Sequence, residues 1–205
     1  MASPRPIRIE RWNPDPAGTD GDLEELGGIL HACVHAGASV SFVLPFSQKD
    51  AKAFWHDQIL PAVLVGSRRV LLARLGGRIV GTVQLDLATP PNQPHRTEVK
   101  KLLVHPDARR RGIARSLMAA VEEQAQEARR TLLTLDTVTG GAAEFLYFSV
   151  GYIAVGTIPR YALNFDSTKI EGTTVMYKEL SSKSLQSATI AQSEVVCAGR
   201  TGLRD

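Results

Sequence analysis

Residues 96 to 136 constrain the fold more than any other stretch of the chain. They set a strand, a tight basic turn, an amphipathic helix and a second strand in immediate succession. Arg96 to Val104 reads as a strand that stops at His105-Pro106, where the proline removes the next backbone donor. Beyond Gly112, the residues Ile113, Leu117, Met118, Val121 and Ala125 recur at helical spacing and define one apolar face. Thr131 to Asp136 then reads as a buried strand. The order strand, loop, helix, strand predicts a parallel crossover.

The flanking segments add a hairpin, further strands and three helices. Arg69 to Leu75 and Arg78 to Leu87 flank Gly76-Gly77, the clearest hairpin signal in the chain. Ile7 to Trp12 alternates apolar and charged residues as an opening strand does. Leu23, Leu26, Ile29, Leu30, Cys33 and Val34 mark one face of a helix from Asp22 to His35, ending near Gly37. A second helix is expected from Ser47, a good N-cap, to about Leu60, where Pro61 limits it. Ala142 to Val150 reads as a short helix ended by Gly151, and two more strands are expected at Tyr152 to Asn164 and Thr173 to Glu179. After Leu180 the sequence is polar and aperiodic. One domain over residues 1–180 and a disordered tail over 181–205 are therefore expected.

Composition removes several function classes. A net charge of +3, from 24 basic against 21 acidic residues, does not call for a polyanionic partner. The longest apolar runs, such as Ile59 to Val65, fall far short of the roughly 20 residues that cross a bilayer. Met1 to Pro6 has no apolar run behind its charge, so no secretory leader, no membrane partner and a cytoplasmic location are expected. Cys33 and Cys197 are too few and too differently placed for a disulfide framework or a metal site. His31 and His35 stand one helical turn apart without further ligands in view, so no metal is expected.

The turn Arg109-Arg110-Arg111-Gly112-Ile113-Ala114 is suited to an anion. The first N–H groups of a helix lack internal acceptors, and the aligned peptide dipoles put partial positive charge at the same end. Gly112 and Ala114 keep the backbone approachable, and the arginines add charge-assisted hydrogen bonds. Three successive arginines are also common as a plain solvated charge run. A nucleic-acid track is disfavoured because no aromatics interleave with the basic residues, and a dinucleotide fold because no Gly-x-Gly-x-x-Gly follows the first strand.

Arg109-x-x-Gly112-x-Ala114, set after a strand and before an amphipathic helix, resembles the acyl-CoA signature of the GNAT superfamily. The preceding hairpin, and the strand, short helix, Tyr147 and Gly151-Tyr152 that follow, extend the resemblance across about residues 5 to 180. Within it, Ala36 to Phe42, Arg96 to Leu102 and Leu135 to Thr137 are similar to tabtoxin-resistance acetyltransferases. The resemblance implies an α/β (α+β) GNAT fold, with a mixed, mostly antiparallel, twisted sheet flanked by helices and a splayed strand pair that binds CoA. It implies acetyl-CoA as cosubstrate and no metal. The cofactor would lie along Leu102, Leu103 and Val104, with its diphosphate at Arg109, Arg110, Arg111, Gly112, Ile113, Ala114 and Arg115.

In that fold pantetheine pairs with exposed backbone of the strand Glu98 to Val104, and an N–H near Leu102 or Leu103 polarises the thioester carbonyl. An aliphatic ammonium, with a pKa near 10.4, must lose a proton before it attacks. The tabtoxin-resistance resemblance gives Glu98 and Asp136 that base role, directly or through water. Either carboxylate has an ordinary alternative, such as pairing with Lys100 or Arg96 or holding a loop. Tyr147 matches the GNAT tyrosine that protonates the departing thiolate, and its alternative is packing between helix and sheet. Many GNAT members have Asn where this chain has Asp136-Thr137, which favours a substrate-facing carboxylate here. The small, apolar connection Ala36 to Phe46 is expected to shape the acceptor site, with Ser39, Ser41 and Phe42 as contacts.

The implied function is transfer of acetyl to a primary amine of a small molecule, amino-acid-like toxins or antibiotics included, by direct attack in a ternary complex. Neither cysteine is placed as a nucleophile for a covalent acyl-enzyme. The main alternative is a non-catalytic acyl-CoA-binding sensor, and an RNA-binding or interaction module ranks third. Neither nucleic acid nor membrane is an expected partner. The oligomeric state stays open, a homodimer included.

Overall fold

The structure is a computed structural model that describes residues 6–15 and 19–181. Strand β1 (Ile7–Arg11) leads to helix α1 (Thr19–His35). A loop then leads to α2 (Gln48–Ala53), a π-helical segment (Phe54–Ile59) and α3 (Leu60–Leu64). Strands β2 (Arg68–Leu75), β3 (Arg78–Asp86) and β4 (Arg96–Val104) precede α4 (Ile113–Glu127) and β5 (Leu132–Val138). The chain closes with α5 (Ala142–Ser149), β6 (Ile153–Leu163) and β7 (Ile170–Glu179). All seven strands join one sheet in the order β1-β2-β3-β4-β5-β7-β6. Neighbours run antiparallel except β4 and β5, the parallel pair that the crossover requires.

Helices cover both faces of the sheet. On one face α4 lays Ile113, Leu117, Met118, Val121 and Ala125 against Leu71, Val83, Val99, Leu133, Leu135 and Met176, all buried. Each large side chain so buried contributes about 1.5–3 kcal/mol relative to exposure. Gly81 allows this close seating: a Cβ there would meet the Leu103 carbonyl oxygen at 3.0 Å and the Ile113 side chain at 3.1 Å. On the other face Leu23, Leu26, Ile29 and Leu30 of α1 pack with Trp12, Trp55, Ile59, Val70 and Leu72.

The hairpin forms as expected, with Gly76 and Gly77 at φ 62° and 88°, the left-handed turn conformation that favours glycine. The second helix departs from expectation. Ser47 caps it through a reciprocal pair of hydrogen bonds with Asp50, but the helical path continues past Pro61 to Leu64. The preceding π segment loosens the α ladder, and Pro61 falls within the first two positions of the α-helical turn that resumes there, where a missing N–H costs little. Apart from Ser181, the tail expected over residues 181–205 lies outside the described residues. Among the described residues no helix is long and apolar enough to cross a membrane.

Candidate active site

The parallel contact between β4 and β5 is short. Arg96, Thr97 and Glu98 pair with Leu132, Leu133 and Thr134, and beyond that point the two strands diverge. β5 goes on to pair fully with β7, while β4 from Val99 to Val104 keeps β3 on one side and, among the described residues, no strand on the other. The divergence opens a cleft whose β4 wall offers free backbone donors and acceptors.

At the far end of that wall, Pro106–Ala108 forms a single 3-10 turn, and α4 begins after Gly112. Gly112 sits at φ 78° and contributes no capping side chain, so the first N–H groups of α4 have no cap of their own. A Cβ built on Gly112 meets nothing within 4 Å. The glycine is therefore required by its backbone conformation, and the space in front of it is open to a ligand. The arginines divide. Arg110 and Arg111 are exposed, Arg109 turns its Nε back to the Val104 carbonyl at 3.3 Å, and Arg115 donates to the carbonyl and hydroxyl of Ser149 at 3.3 and 3.1 Å. Ile113 is buried in the core, and Ala114 is half-buried.

Side-chain alternation puts Glu98 and Lys100 of β4, with Thr134 and Asp136 of β5, on the sheet face opposite Val99, Leu133 and Leu135. Glu98 is committed to Lys100 at 3.2 Å. Lys100 also reaches Asp86 at 3.1 Å, and Arg68 meets the same Asp86 oxygen at 2.6 Å. Burial works against the Asp86 charge, but the Lys100 hydrogen bond and the Arg68 charge outweigh it and hold the carboxyl below its ordinary range. Asp136 has no ion pair among the described residues. It is exposed, and its Oδ2 accepts the Thr173 hydroxyl at 2.9 Å.

Tyr147 enters from α5 and is buried, its ring centre 5.7 Å from that of Tyr152. Burial, and after it the Asp136 carboxylate, push the phenol well above its ordinary range. Its hydroxyl has no hydrogen-bond partner among the described residues, yet it is not one of the fully enclosed polar atoms, as the Tyr152 hydroxyl is. Tyr147 is thus a protonated donor held near a carboxylate, with its hydroxyl free for an incoming group.

The loop between α1 and α2 roofs the cleft. Leu44 donates its N–H to the Phe165 carbonyl at 2.7 Å, tying the loop to the β6–β7 turn. Phe42 packs on Phe46 and Phe54, with ring centres 4.7 and 5.1 Å away, and Ser39 is exposed. Ser41, at φ 71°, accepts a hydrogen bond from Lys101 Nζ at 3.0 Å. Leu102 and Leu103 take opposite faces of β4, Leu103 buried toward α1 and Leu102 against the α4 core; Val104 also packs against that core.

A model of the acetyltransferase (GNAT) family matches residues 35–152, more than half of the chain. The chain belongs to the GNAT acetyltransferase family. An uncharacterized N-acetyltransferase of Azospirillum brasilense, from its hisH-hisA intergenic region, is 34% identical over 119 residues, 57% of this chain and 68% of that protein. Among solved structures, yncA of Salmonella typhimurium, with its cofactor acetyl-CoA, is similar at a TM-score of 0.68 and 17% identity, over 85% of this chain and 94% of that one. The ribosomal-protein-alanine N-acetyltransferase of Brucella melitensis is similar at 0.67 and 23%, over 84% and 99%. These likenesses bear out the mixed, mostly antiparallel GNAT sheet with its one parallel pair.

Of the site residues expected in this GNAT chain, Glu98, Asp136 and Tyr147 converge on the cleft, and Ser41 and Phe42 reach it through Lys101. Lys101 itself escaped the sequence reading. In a strand of alternating residues it looks like a second solvated lysine beside Lys100, and only the backbone irregularity at that point turns it inward.

Proposed function

We propose that this GNAT protein transfers the acetyl group of acetyl-CoA to a primary amine of a small, amino-acid-like molecule by direct attack within a ternary complex. The observation that carries the reading is the divergence of β4 from β5 after Glu98 and Thr134, with an uncapped helix start at one end and Asp136 and Tyr147 on the opposite wall. When bound, acetyl-CoA supplies the acetyl thioester. The N–H groups of Ile113, Ala114 and Arg115 and the exposed Arg110 and Arg111 would hold its diphosphate, and the backbone groups of Val99 to Leu103 that β3 leaves unpaired its pantetheine amides.

Asp136 accepts the proton that the acceptor ammonium must lose, directly or through one water. It is the better base of the two carboxylates, because Glu98 already neutralises Lys100. Tyr147 donates its proton to the departing thiolate; a neutral phenol is the form required, and its surroundings favour that form. The 36–47 loop is fastened to Phe165 at Leu44 and to Lys101 at Val40 and Ser41, which favours a compact acceptor over a long peptide.

The test is release of CoA from acetyl-CoA in the presence of a panel of small amines, with product masses read by mass spectrometry. Amine-dependent release with a mass gain of one acetyl group is the expected result. Tight binding of acetyl-CoA without turnover on any amine would make the protein a sensor instead.

A further inference from the structure

Lys101 occupies a β-bulge. Thr82 pairs with Leu103 and Gln84 with Lys100, so Lys101 and Leu102 together stand opposite one residue of β3. Lys101 takes φ 50°, the left-handed region that side chains other than glycine seldom adopt. The bulge swings the side chain under the 36–47 loop, where Nζ donates to the Val40 carbonyl at 2.6 Å and the Ser41 hydroxyl at 3.0 Å. The same nitrogen lies 5.4 Å from the Phe42 ring centre and 6.0 Å from that of Phe54.

Every one of these partners is uncharged. The neighbouring Lys100 takes both nearby carboxylates, Asp86 and Glu98, and among the described residues no carboxylate lies within ion-pair distance of Lys101. A largely buried ammonium without a counter-ion is costly. Burial, and then the charge of Lys100, bring the group down to about 8, while Asp136 and Glu98 act in the opposite direction and Arg68 adds to the repulsion. Two of the three ammonium hydrogens are spent on Val40 and Ser41, leaving one for a further acceptor.

We propose, on the transferase reading above, that Lys101 is a specificity-determining residue that binds an anionic group, a carboxylate, of the acceptor whose amine is acetylated. Asp136 stands two residues beyond Thr134, the β5 partner of Glu98, and both carboxylates favour the Lys101 charge through space. An acceptor with both an ammonium and a carboxylate completes both charges. A simple amine satisfies Asp136 but meets an unanswered cation at Lys101, which selects against it. The Phe42 and Phe54 rings border Lys101 with apolar surface, beside which a charge pair is less screened than in open water.

Two measurements on the full chain test this. In the first, common L-α-amino acids and their methyl esters are compared as acceptors for wild type, Lys101→Met and Lys101→Arg. Wild type should show KM values about 10- to 100-fold lower for the acids than for the esters. Lys101→Met should erase that preference by raising KM for the acids alone with kcat little changed, and Lys101→Arg should keep part of it. In the second, independent of turnover, the CoA-bound protein is titrated with N-acetyl amino acids and their amides, where wild type should prefer the carboxylate by a similar factor and Lys101→Met should not. Thermal melting of both variants confirms that they are folded, and Lys101→Arg reads the charge if Lys101→Met is not. Turnover with equal use of acids and esters by wild type and Lys101→Met would overturn the role of Lys101 and leave the transferase standing. Carboxylate-selective binding without any turnover would do the reverse, and the absence of both would remove both.

Discussion

The two walls of the cleft handle charge in opposite ways. Along β4 and its neighbours, Arg68, Asp86, Lys100 and Glu98 form a chain of pairs, each charge answered within 3.2 Å. On the β5 and α5 side, Asp136 has a hydroxyl partner only, and the Tyr147 hydroxyl has none among the described residues. Paired charges in a half-buried network hold strands and loops in place, whereas a carboxylate without a cationic partner can still accept a proton and a neutral phenol without a partner can still donate one. Sequence alone leaves the base open between Glu98 and Asp136, with Glu98 slightly ahead. Their surroundings separate a carboxylate already paired with a lysine from one without a cationic partner among the described residues.

The largest effect should come from Tyr147→Phe, which is expected to slow acetyl transfer by about 10²–10⁴-fold. Acetyl-CoA affinity and melting temperature should hardly move, since the lost hydroxyl leaves no described partner unsatisfied. A wild-type rate under conditions where chemistry is limiting would return Tyr147 to a packing role. Asp136→Asn should follow, with a loss of about 10²-fold at neutral pH that shrinks as the medium approaches the pKa of the acceptor amine. A pH–rate profile with a constant ratio to wild type would contradict the base assignment.

Glu98→Gln should cost less than about tenfold in rate, because its carboxylate serves Lys100. If Glu98→Gln proves more damaging than Asp136→Asn, the contrast between the walls is reversed. The smallest effect concerns Lys101, the one lysine of β4 outside the paired chain. Between about pH 8 and the ordinary 10.5, the unfolded protein carries a proton on Lys101 that the folded protein has released. Stability should therefore rise with pH across that window relative to Lys101→Met, as read from urea unfolding of both proteins. A pH-independent difference would mean that the ammonium is better solvated than its uncharged neighbours suggest.

Much of the fold was legible in the chain because it rests on local signals. Gly76-Gly77 between alternating strands, the apolar stripe from Ile113 to Ala125 and the proline after His105 each report backbone geometry within a few residues. The helix after Ser47 was misjudged at Pro61, where a π segment absorbs the missing donor, a compensation that local propensity does not reveal. The site was legible in part for a related reason. Gly112 and Tyr147 stand in motifs of fixed spacing, but the bulge at Lys101 depends on how β4 registers against β3.

By itself the sequence determined the order of strands and helices and the parallel crossover, since periodicity and turn chemistry are properties of neighbouring residues, and its resemblance to the GNAT family pointed to Glu98, Asp136 and Tyr147. Only the tertiary structure decided which charges are already answered. Glu98 reaches Lys100 within its own strand, but it is Asp86 of β3 and Arg68 of β2 that complete the network, and Val40 and Ser41 that hold Lys101. Whether a carboxylate or an ammonium is committed or available depends on partners brought together across the sheet and the loop that roofs it, and on the water their packing excludes.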